Sequence, residues 1–451
     1  MSVPQNAELG KRCIVYGTFD LFHEGHRRLL QRARALASHL TVAISTESFD
    51  LTEGKLNIRQ SLVQRIHAVE ASGFADEVIT EEYYGQKSHD IQKLKIDILV
   101  VGSDWTGVHD YLRKYCEVVY LERTAGISST QLRGELRIGV VGCGRAAKTF
   151  VHEATLVSGV RVEAAFSPSE LRLRAFAKEH GVSHVSATLV DLLAAVDAVY
   201  VASPHSTHVS YTTQALASGK HVLCEKPLCF TKREAEELYS LASDKSLVLL
   251  EGINTAYSPC FQRIVSAAES GKIGKVHGIS ATCTILTPPN GREYDKAQDG
   301  GSISKLASYP LLATIKILGA CEMQSVKVKS IYDAKAGVDI FSRIDISFND
   351  AIATATVGIG VQAESDLVIA GTKGHIYVPA PWWTASSFEM RFADPARCER
   401  VQVEAEGAGL RYEIAEFAKC ISEGGRESCF LTRGNSVGVA GYIERVRAGG
   451  E

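Results

Sequence analysis

Two histidines three residues apart are the first sign of chemistry in this chain. His23 and His26 lie in the stretch YGTFDLFHEGHRRLL, residues 16–30. The apolar run Cys13–Tyr16 predicts a buried strand, and the amphipathic segment that starts near Gly25 predicts a helix. One turn of that helix would aim both imidazoles the same way, beside the N–H groups of its N-terminus, where phosphate oxygens bind. By itself the spacing is a weak signal, which a pair of surface histidines beside a tight turn would also give.

The elements around these histidines predict an α/β domain. Residues 11–135 alternate short apolar runs with helical periodicity, which is typical of a parallel doubly wound sheet. Ligands of such sheets bind beyond the carboxyl ends of the strands. Polar motifs follow the first, fourth and fifth predicted strands, so all of them should meet at that edge. The predicted strands are Arg12–Tyr16, Leu40–Ile44, Glu77–Ile79, Ile98–Val101 and Val118–Tyr120, and the predicted helices are Arg27–Ala37, Arg59–Ser72 and His89–Lys95.

Composition limits the partners of the chain. Its 451 residues suffice for two or three domains, and its net charge of −3 supports neither nucleic acid nor an anionic membrane as a partner. No apolar run approaches the roughly 20 residues that span a bilayer, and the polar start is unlike a secretory signal. The 11 cysteines show no metal-ligand spacing. We therefore expect a cytoplasmic protein with reduced cysteines, no protein-held metal, and no nucleic-acid or membrane partner.

The first 135 residues resemble the glycerol-3-phosphate cytidylyltransferase family. The resemblance extends over residues 11–135, and the pairing of an HxGH motif with RTxGISST is specific. Adenylyltransferases of the same superfamily share the first motif and differ in the later ones, so an enzyme that prefers ATP is the less favoured alternative. The matching stretches are GTFDLFHEGH (17–26), VAISTESF (42–49), VGSDW (101–105), CEVVYLERT (116–124) and GISST (126–130).

The resemblance implies transfer of CMP from CTP to a small phosphorylated polyol without a covalent intermediate. Mg²⁺ is expected to accompany CTP, bridging phosphates with few protein ligands. Arg65 and Lys87 are implied to bind the acceptor phosphate. The implied catalytic residues are His23, His26, Lys55, Arg123, Ser128, Ser129 and Thr130. The implied nucleotide-binding residues are Gly17, Thr18, Phe19, Asp20, Asp104, Thr124, Gly126 and Ile127.

One residue departs from the pattern of that family. Relatives usually carry a basic residue before the third strand, but this chain has Gly73 there, in SGFADEV. The loss of a cation near the acceptor pocket leaves open whether glycerol 3-phosphate is the acceptor.

A second nucleotide fingerprint begins immediately after residue 135. The apolar strand Leu136–Val141 leads into GCGRAA, which fits the G-x-G-x-x-A turn of a dinucleotide-binding fold. A second strand, Arg161–Phe166, follows about twenty residues later. Ser167-Pro168-Ser169 stands where an acidic residue would bind the ribose of NAD. Arg172 and Arg174 could serve NADP or be solvated helix charges, so the choice between NAD and NADP stays open.

Residues 199–228, VYVASPHSTHVSYTTQALASGKHVLCEKPL, resemble the glucose–fructose oxidoreductase and inositol dehydrogenase (Gfo/Idh/MocA) family. The resemblance extends over residues 136 to about 446. It implies that Lys226 hydrogen-bonds the reacting carbonyl or alcohol beside the nicotinamide and that Tyr309 holds the position of the acid/base residue. The implied cofactor-binding residues are Gly142, Gly144, Arg145, Ala146, Ser167, Ser203, Pro204, His205, His208, Glu225 and Lys226.

The same segment departs from the Gfo/Idh/MocA pattern near the expected chemistry. In GGSISKLASY, residues 300–309, Lys305 replaces an aspartate and Ala307 replaces a glycine. In EGINTAYSP, residues 251–259, Ala256 stands where many relatives carry arginine. A lysine near Lys226 would lower the pKa of Lys226 unless an anion compensates. We therefore hypothesise that Lys305 binds a substrate phosphate or carboxylate. The alternative is that this half is a catalytically silent scaffold that senses the cofactor or mediates oligomerisation.

Together these features predict a bifunctional enzyme. Residues 1–135 would form the doubly wound cytidylyltransferase domain and residues 136–256 a Rossmann domain for NAD or NADP. Residues 257–451 would form an α+β domain with an open mixed, largely antiparallel sheet, because their period-two stretches suit strands with one covered face. By resemblance, a homodimer or larger homo-oligomer is expected.

Overall fold

The computed structural model describes residues 10–52, 58–83, 85–103, 106–122, 135–319, 323–403, 407–424 and 427–449. Residues up to Glu135 form one compact unit, and residues 136–156 and 160–451 form another. In the described part of the chain, no helix combines the length and the apolar character that crossing a membrane requires.

The first unit is built on a parallel sheet with strand order β3-β2-β1-β4-β5. Both faces of β1 are covered, because Cys13 and Val15 pack into one apolar cluster and Ile14 into another. This is why the strand reads as a continuous apolar run. The strands are β1 (Arg12–Gly17), β2 (His39–Ser45), β3 (Glu77–Glu81), β4 (Ile98–Gly102) and β5 (Glu117–Leu121), and the helices are α1 (Glu24–Arg34), α2 (Glu47–Thr52), α3 (Leu62–Ala71) and α4 (Gln86–Lys93).

The predicted doubly wound fold is confirmed, and the helix boundaries differ for local reasons. The helix α1 begins three residues before the predicted start because His23 caps its N-terminus. The helix α3 begins three residues after the predicted start because Ser61 and Gln64 form a capping box. The short helix α2, which follows β2, was not predicted.

The second unit contains a parallel six-stranded sheet with strand order β11-β10-β9-β6-β7-β8. Its β6, β9 and β10 lie in the middle, so the turns that follow them meet at one edge. The strands are β6 (Leu136–Val141), β7 (Val160–Phe166), β8 (His184–Val185), β9 (Ala198–Val201), β10 (His221–Glu225) and β11 (Leu249–Gly252), and the helices are α5 (Arg145–Ala154), α6 (Glu170–His180), α7 (Leu189–Ala195), α8 (His208–Ala217), α9 (Lys232–Asp244), α10 (Asn254–Tyr257) and α11 (Pro259–Glu269).

The same unit also carries an eight-stranded open sheet with order β13-β14-β15-β12-β16-β17-β18-β19. Within this sheet, β12 and β15 are the only parallel neighbours among the described strands, and the other pairs are antiparallel. The sheet is therefore mixed and largely antiparallel, as predicted. The strands are β12 (Val276–Thr284), β13 (Ser325–Tyr332), β14 (Asp339–Ser347), β15 (Ile352–Gly358), β16 (Leu367–Gly371), β17 (His375–Val378), β18 (Ser387–Arg391) and β19 (Glu399–Gln402), and the helices are α12 (Ser302–Leu306), α13 (Ser308–Leu318), α14 (Leu410–Ser422) and α15 (Arg433–Arg447).

A buried ion pair joins α5 of the Rossmann half to α14. Arg411 Nε donates to Glu153 Oε2 at 3.0 Å, and Arg411 Nη2 donates to Glu153 Oε1 at 3.2 Å. Burial alone would raise the pKa of Glu153, but the hydrogen bonds and charge of Arg411 outweigh it and hold that pKa below its usual value. The ion pair therefore holds the N-terminal part of α14 against α5.

Replacing Arg411 by methionine would leave the Glu153 carboxylate buried without its cation. We expect the free energy of unfolding of the second unit to fall by roughly 3–5 kcal/mol in urea denaturation, because an unpaired buried charge is strongly destabilising. The matched control is Arg137→Met, which removes an exposed pair with Asp197 and should change stability little. Equal losses in the two variants would contradict the assignment.

Candidate active sites

The two histidines of the first unit sit at the N-terminus of α1 with their rings stacked. His23 is the N-cap, and its Nδ1 accepts the N–H of Gly25 at 3.0 Å. The backbone N–H of His23 donates to Nδ1 of His26 at 3.4 Å, and the ring centroids are 3.9 Å apart at 18°. Because both Nδ1 atoms accept, the proton of each neutral ring is on Nε2. Nε2 is then the donor that a phosphate oxygen requires.

Two phenylalanines hold the His26 ring in place. The centroids of Phe19 and Phe22 lie 5.2 Å and 5.6 Å from that of His26. Phe19 is buried with φ at 54°, and a Cβ on Gly17 would lie 3.0 Å from its ring. Glycine at position 17 therefore lets the aromatic ring fold back over the end of β1. Phe22 is a positioning residue that sequence reasoning missed.

The turn after β1 rests on a buried carboxylate, Asp50 of α2. Thr18 Oγ1 and Ser45 Oγ donate to Asp50 Oδ1 at 2.8 Å and 2.7 Å. Arg65 Nη1 donates to the carbonyls of Thr18 and Ser45 at 2.9 Å and 2.8 Å, and lies 3.4 Å from Asp50 Oδ2. The Arg65 and Asp50 side chains are both 0% exposed. Asp50 was missed from the sequence because α2 itself was not predicted.

Asp20 ties a second segment to the same turn. Its Oδ1 accepts the backbone N–H groups of Arg59 and Gln60 at 3.2 Å and 3.0 Å. In return, Gln60 Oε1 accepts the N–H of Leu21 at 2.7 Å. The Asp20 carboxylate thus binds backbone amides of that second segment, and its implied nucleotide-binding role stays a prediction.

Lys87 lies in an aromatic setting with a carboxylate partner. Its ammonium forms an ion pair with buried Glu81 and lies 4.7 Å from the ring centroid of Tyr16. Tyr16 Oη in turn donates to Asp90 at 3.1 Å. The acceptor-binding roles of Arg65 and Lys87 stay predictions.

Nine further predicted residues lie outside the described ranges: Lys55, Asp104, Arg123, Thr124, Gly126, Ile127, Ser128, Ser129 and Thr130.

Gly73 has a conformational reason to differ from the expected basic residue. It follows the C-cap of α3 with φ at 72°, a region that side chains rarely adopt. Its N–H donates to the carbonyl of Glu70 and closes the helix.

The substitution Arg65→Met would separate the scaffold role of Arg65 from the predicted acceptor-binding role. If Arg65 is the buried partner of Asp50, its replacement should lower the free energy of unfolding of the first unit by roughly 3–5 kcal/mol. Cytidylyl transfer should then show a reduced kcat for every acceptor. A variant of unchanged stability with only a raised KM for the acceptor phosphate would instead indicate direct binding.

The turn after β6 in the second unit provides an open glycine loop. Gly142 has φ at 112°, and a Cβ there would lie 2.4 Å from the carbonyl oxygen of Ala202. Gly144 caps α5 without a side-chain bond, and a Cβ there would meet nothing within 4 Å. Bare N–H groups at a helix N-terminus beside open space fit a dinucleotide pyrophosphate.

The glycine loop opens into a cleft of about 1000 Å³. Residues from the ends of β6, β7, β9 and β10 line it, together with the segment before α12. The structure thus brings together all the predicted residues of this half, although their individual roles stay predictions. They are Gly142, Gly144, Arg145, Ala146, Ser167, Ser203, Pro204, His205, His208, Glu225, Lys226, Lys305 and Tyr309.

Lys226 lies against the aromatic ring of Tyr309. Its Nζ donates to the backbone carbonyl of Lys305 and sits 4.7 Å from the ring centroid of Tyr309, which stacks on Trp383. Burial lowers the pKa of Lys226 to about 8; nearby Glu225 opposes the shift, while the charge of Lys305 adds to it. At neutral pH this lysine is protonated, yet near enough to its pKa to release a proton.

Buried carboxylates lie behind Lys226. Tyr200 Oη donates to Glu225 Oε1 at 2.6 Å, and the Tyr200 ring stacks on Phe150. Glu413 of α14 is 0% exposed. Burial raises the pKa of both glutamates, most strongly that of Glu413. Tyr200 and Glu413 were missed because helices and strands distant in sequence bring them together.

His208 joins two loops of the cleft. It is 0% exposed, with Nδ1 2.8 Å from the carbonyl oxygen of Pro227 and Nε2 3.1 Å from that of Ser203. Burial lowers the pKa of His208 to about 4. Burial also lowers the pKa of His205, whose Nδ1 is 3.5 Å from the carbonyl oxygen of Asp299. His208 is thus positioned to link the turns that follow β9 and β10.

Lys305 has a partner within the protein. Its Nζ lies 2.6 Å from Glu293 Oε1 and 3.2 Å from Thr287 Oγ1. The pKa of Lys305 is lowered by burial, and the Glu293 pair opposes that shift. The hypothesis that Lys305 binds a substrate anion stays a prediction, but the Lys305 ammonium already forms an ion pair with Glu293. Sequence reasoning missed Glu293 and its neighbour Arg292, because neither belongs to a recognised motif.

The two arginines that follow the second strand of the Rossmann half differ in placement. Arg172 lines the cleft together with Ser167. Arg174 is exposed and pairs with Glu170 at 2.7 Å on α6. Ala256, which replaces a common arginine, is fully buried in α10.

Known proteins match both units. Residues 14–135 match the family described as "Cytidylyltransferase-like", and residues 136–253 match "Oxidoreductase family, NAD-binding Rossmann fold". Residues 261–377 match "GFO/IDH/MocA C-terminal domain". A glycerol-3-phosphate cytidylyltransferase of Bacillus spizizenii is 47% identical over 126 residues, which cover 28% of this chain and 97% of the relative.

Relatives of the second unit are more distant. The scyllo-inositol 2-dehydrogenase (NADP(+)) IolU of Bacillus subtilis is 26% identical over 334 residues, covering 69% of this chain and 96% of the relative. The solved structure of KijD10, a 3-ketoreductase from Actinomadura kijaniata, has a TM-score of 0.64 at 24% identity and covers 70% of this chain and 98% of its own. At 24% identity, the similarity to KijD10 shows the fold alone.

Folds and sites together define a nucleotidyltransferase joined to a nicotinamide-dependent oxidoreductase. The chain belongs to the glycerol-3-phosphate cytidylyltransferase family, and its cytidylyltransferase-like domain is fused to a GFO/IDH/MocA NAD(P)-dependent oxidoreductase domain.

Proposed function

We propose that this protein makes a CDP-activated polyol in two steps. The second unit reduces a keto or aldehyde sugar phosphate to a polyol phosphate with NAD(P)H. The first unit then transfers CMP from CTP to that phosphate and releases pyrophosphate. The domain boundaries that we propose for this division are 1–135, 136–256 and 257–451.

The balance of charge in the oxidoreductase cleft is the observation that supports a phosphorylated substrate. Five basic and four acidic side chains line the cleft, and of the five basic ones only Lys305 forms an ion pair within the described part of the chain. Asp299 pairs with Arg447 at 2.7 Å, and Glu293 pairs with Lys305 at 2.6 Å. The cleft therefore suits a substrate that brings its own negative charge. The basic residues are Arg145, Arg172, Lys226, Arg292 and Lys305.

In the first unit, catalysis depends on positioning and charge rather than on a covalent intermediate. The acceptor phosphate attacks the α-phosphorus of CTP, and pyrophosphate leaves from the opposite side. His23 and His26 donate Nε2–H to phosphate oxygens, and the turn held by Asp50 and Asp20 keeps their helix in place. A Mg²⁺ ion bound with CTP would neutralise part of the phosphate charge.

In the second unit, Lys226 acts as the proton donor for reduction. The glycine loop and the N-terminus of α5 would hold NAD(P)H, which would supply the hydride. The ammonium of Lys226 donates its proton to the substrate oxygen, which becomes the alcohol. Because the pKa of Lys226 is about 8, reduction should decline as the pH rises through that value. Tyr309, which the resemblance placed at the acid/base position, has a pKa raised by burial, so we assign it instead to aligning the ammonium that lies against its ring.

The decisive experiment follows pyrophosphate release and NAD(P)H absorbance in the same reaction. The purified full chain is given CTP, Mg²⁺ and a panel of keto and aldehyde sugar phosphates or their polyol phosphates. We expect one precursor to yield pyrophosphate only while NAD(P)H is present and consumed. Polyol phosphates that react, with no precursor that oxidises NAD(P)H, would show that the second unit is a scaffold. Faster turnover of ATP than CTP would contradict cytidylyl transfer.

Two variants assign each signal to its own site. His23→Asn should abolish pyrophosphate release and leave NAD(P)H oxidation intact. Lys226→Met should lower NAD(P)H oxidation by roughly 100- to 10,000-fold, because it removes the general acid. The lysine variant should still activate a polyol phosphate supplied directly.

Arg172 supports NADP as the preferred cofactor. No acidic side chain occupies the turn Ser167–Ser169, where a carboxylate would repel a 2′-phosphate, and Arg172 lines the cleft beside it. We expect Arg172→Gln to weaken NADPH binding by roughly 10- to 100-fold with little effect on NADH, because a charge-assisted pair is lost.

Arg174→Gln is the matched control for this test, since Arg174 is on the same helix but pairs with Glu170 in solvent. Fluorescence titration of both cofactors measures the four affinities. Parallel losses for NADPH and NADH in Arg172→Gln would contradict a 2′-phosphate contact.

A further inference from the structure

We propose that Arg292 binds the phosphate group of the substrate in the oxidoreductase cleft, a role that the sequence hypothesis gave to Lys305. The inference rests on the proposed function, because it names the residue that makes the reductase select a phosphorylated sugar. Arg292 lies in the segment between β12 and α12, outside the Rossmann sheet.

Neighbouring groups already satisfy the other charges on this side of the cleft. Lys305 is held by Glu293 at 2.6 Å and by Thr287 at 3.2 Å. Asp295 accepts from Gln298 Nε2 at 2.6 Å. A second anion at Lys305 would have to compete with a carboxylate that is only 16% exposed. Lys305 is therefore a structural cation.

Arg292 has no such partner. Its Nη1 donates to the backbone carbonyl of Ser203 at a long 3.4 Å, and it forms no ion pair with a carboxylate in the described part of the chain. Its side chain is exposed in the cleft, where a ligand can reach it. A guanidinium offers five N–H donors in a planar fork that matches two phosphate oxygens. Arg292 can therefore bind an anion without breaking an internal ion pair.

The backbone beneath Arg292 is tightly held. The N–H of Gly301 donates to the carbonyl of Glu293 at 2.8 Å, and a Cβ on Gly300 would lie 2.5 Å from the same oxygen. The two glycines thus let the loop that carries Arg292 pack against the start of α12. This close approach to the Glu293 carbonyl explains why glycines precede the helix that carries Lys305.

Arg292 is also close enough to act on the reacting end of the cleft. Its contact, Ser203, begins the loop after β9, which also carries His205. The positive charge of Arg292 contributes to lowering the pKa of Lys226, although burial is the main cause. A bound phosphate would offset that charge and favour the protonated lysine that reduction requires. Arg145 opens α5 directly after the glycine loop and Arg172 lies beside Ser167, so we assign these two arginines to the cofactor.

The test compares Arg292→Gln with the wild type on a sugar phosphate and on the same sugar without its phosphate. We expect the preference in kcat/KM for the phosphorylated substrate to fall roughly 10- to 100-fold, with little change for the unphosphorylated sugar. Arg292→Lys should restore part of the preference. Arg174→Gln is the control arginine, and Lys305→Gln should slow both substrates alike because it leaves Glu293 unpaired.

Two further measurements make the outcome decisive. Inorganic phosphate is titrated into the full-length, NADP⁺-saturated protein by calorimetry, and wild type should show a binding event that Arg292→Gln lacks. Phosphate binding to the first unit is common to both proteins and cancels in the comparison. In the pH profile of reduction of the unphosphorylated sugar, Arg292→Gln should move the falling limb to higher pH, since a positive charge near Lys226 has been removed.

The possible failures are distinguishable. Equal loss of both substrates, unchanged phosphate binding, or weakened NADPH binding in Arg292→Gln would overturn the role of Arg292. If no keto or aldehyde sugar oxidises NADPH in the wild type, the proposed reduction is wrong, while loss of phosphate binding in Arg292→Gln would still support the anion site.

Discussion

The first N–H groups of an α-helix have no partner inside the helix, and both units of this protein are organised around that constraint. In each unit the chain leaves a central parallel strand, turns, and enters a helix at the carboxyl edge of the sheet. In the first unit, His23 caps α1 through Nδ1. In the second, Gly144 caps α5 with no side chain at all. Under the function that we propose, the N-terminus of α1 faces the triphosphate of CTP and that of α5 faces the pyrophosphate of the cofactor.

The two helix caps suit the different ligands that we propose for them. A capping histidine uses Nδ1 for the helix and leaves Nε2–H as a directed donor, which suits a reacting triphosphate. A bare glycine lets a pyrophosphate approach the backbone closely, which suits a cofactor that is bound but not cleaved. In the first unit the histidine turn then needs support, and the buried Asp50–Arg65 pair provides it. In the second unit, Gly142 must stay side-chain-free beside Ala202.

Burial of charge tunes the oxidoreductase cleft. Burial lowers the pKa of Lys226 to about 8, the nearby charges of Lys305 and Arg292 add to the shift, and Glu225 limits it. Lys305 stands where the family resemblance led us to expect an aspartate, and Glu293 of another segment pairs with it. The pair keeps the local charge nearly neutral, and Arg292, in the same segment as Glu293, forms no ion pair within the described part of the chain. This arrangement is the basis on which we propose a phosphorylated substrate.

Much of this organisation was predictable from the sequence because it is local. Apolar runs of four to seven residues mark parallel strands that are buried on both faces, and His23-x-x-His26 and Gly142-x-Gly144 mark the turns that follow them. The residues predicted for the oxidoreductase site do meet in one cleft, since strand ends of a parallel sheet share an edge. Even the sign change at Lys305 is visible in the sequence.

Only the tertiary structure decided the partners of these residues. Asp50 under Thr18, Glu293 beside Lys305, Glu413 behind Glu225 and Arg411 on Glu153 join segments that are far apart in sequence. Local pattern determines whether a residue lies on a strand, a helix or a turn. Hydrogen-bond partners and pKa depend on which distant groups the packing brings within a few ångströms, and no spacing rule within one segment contains that information.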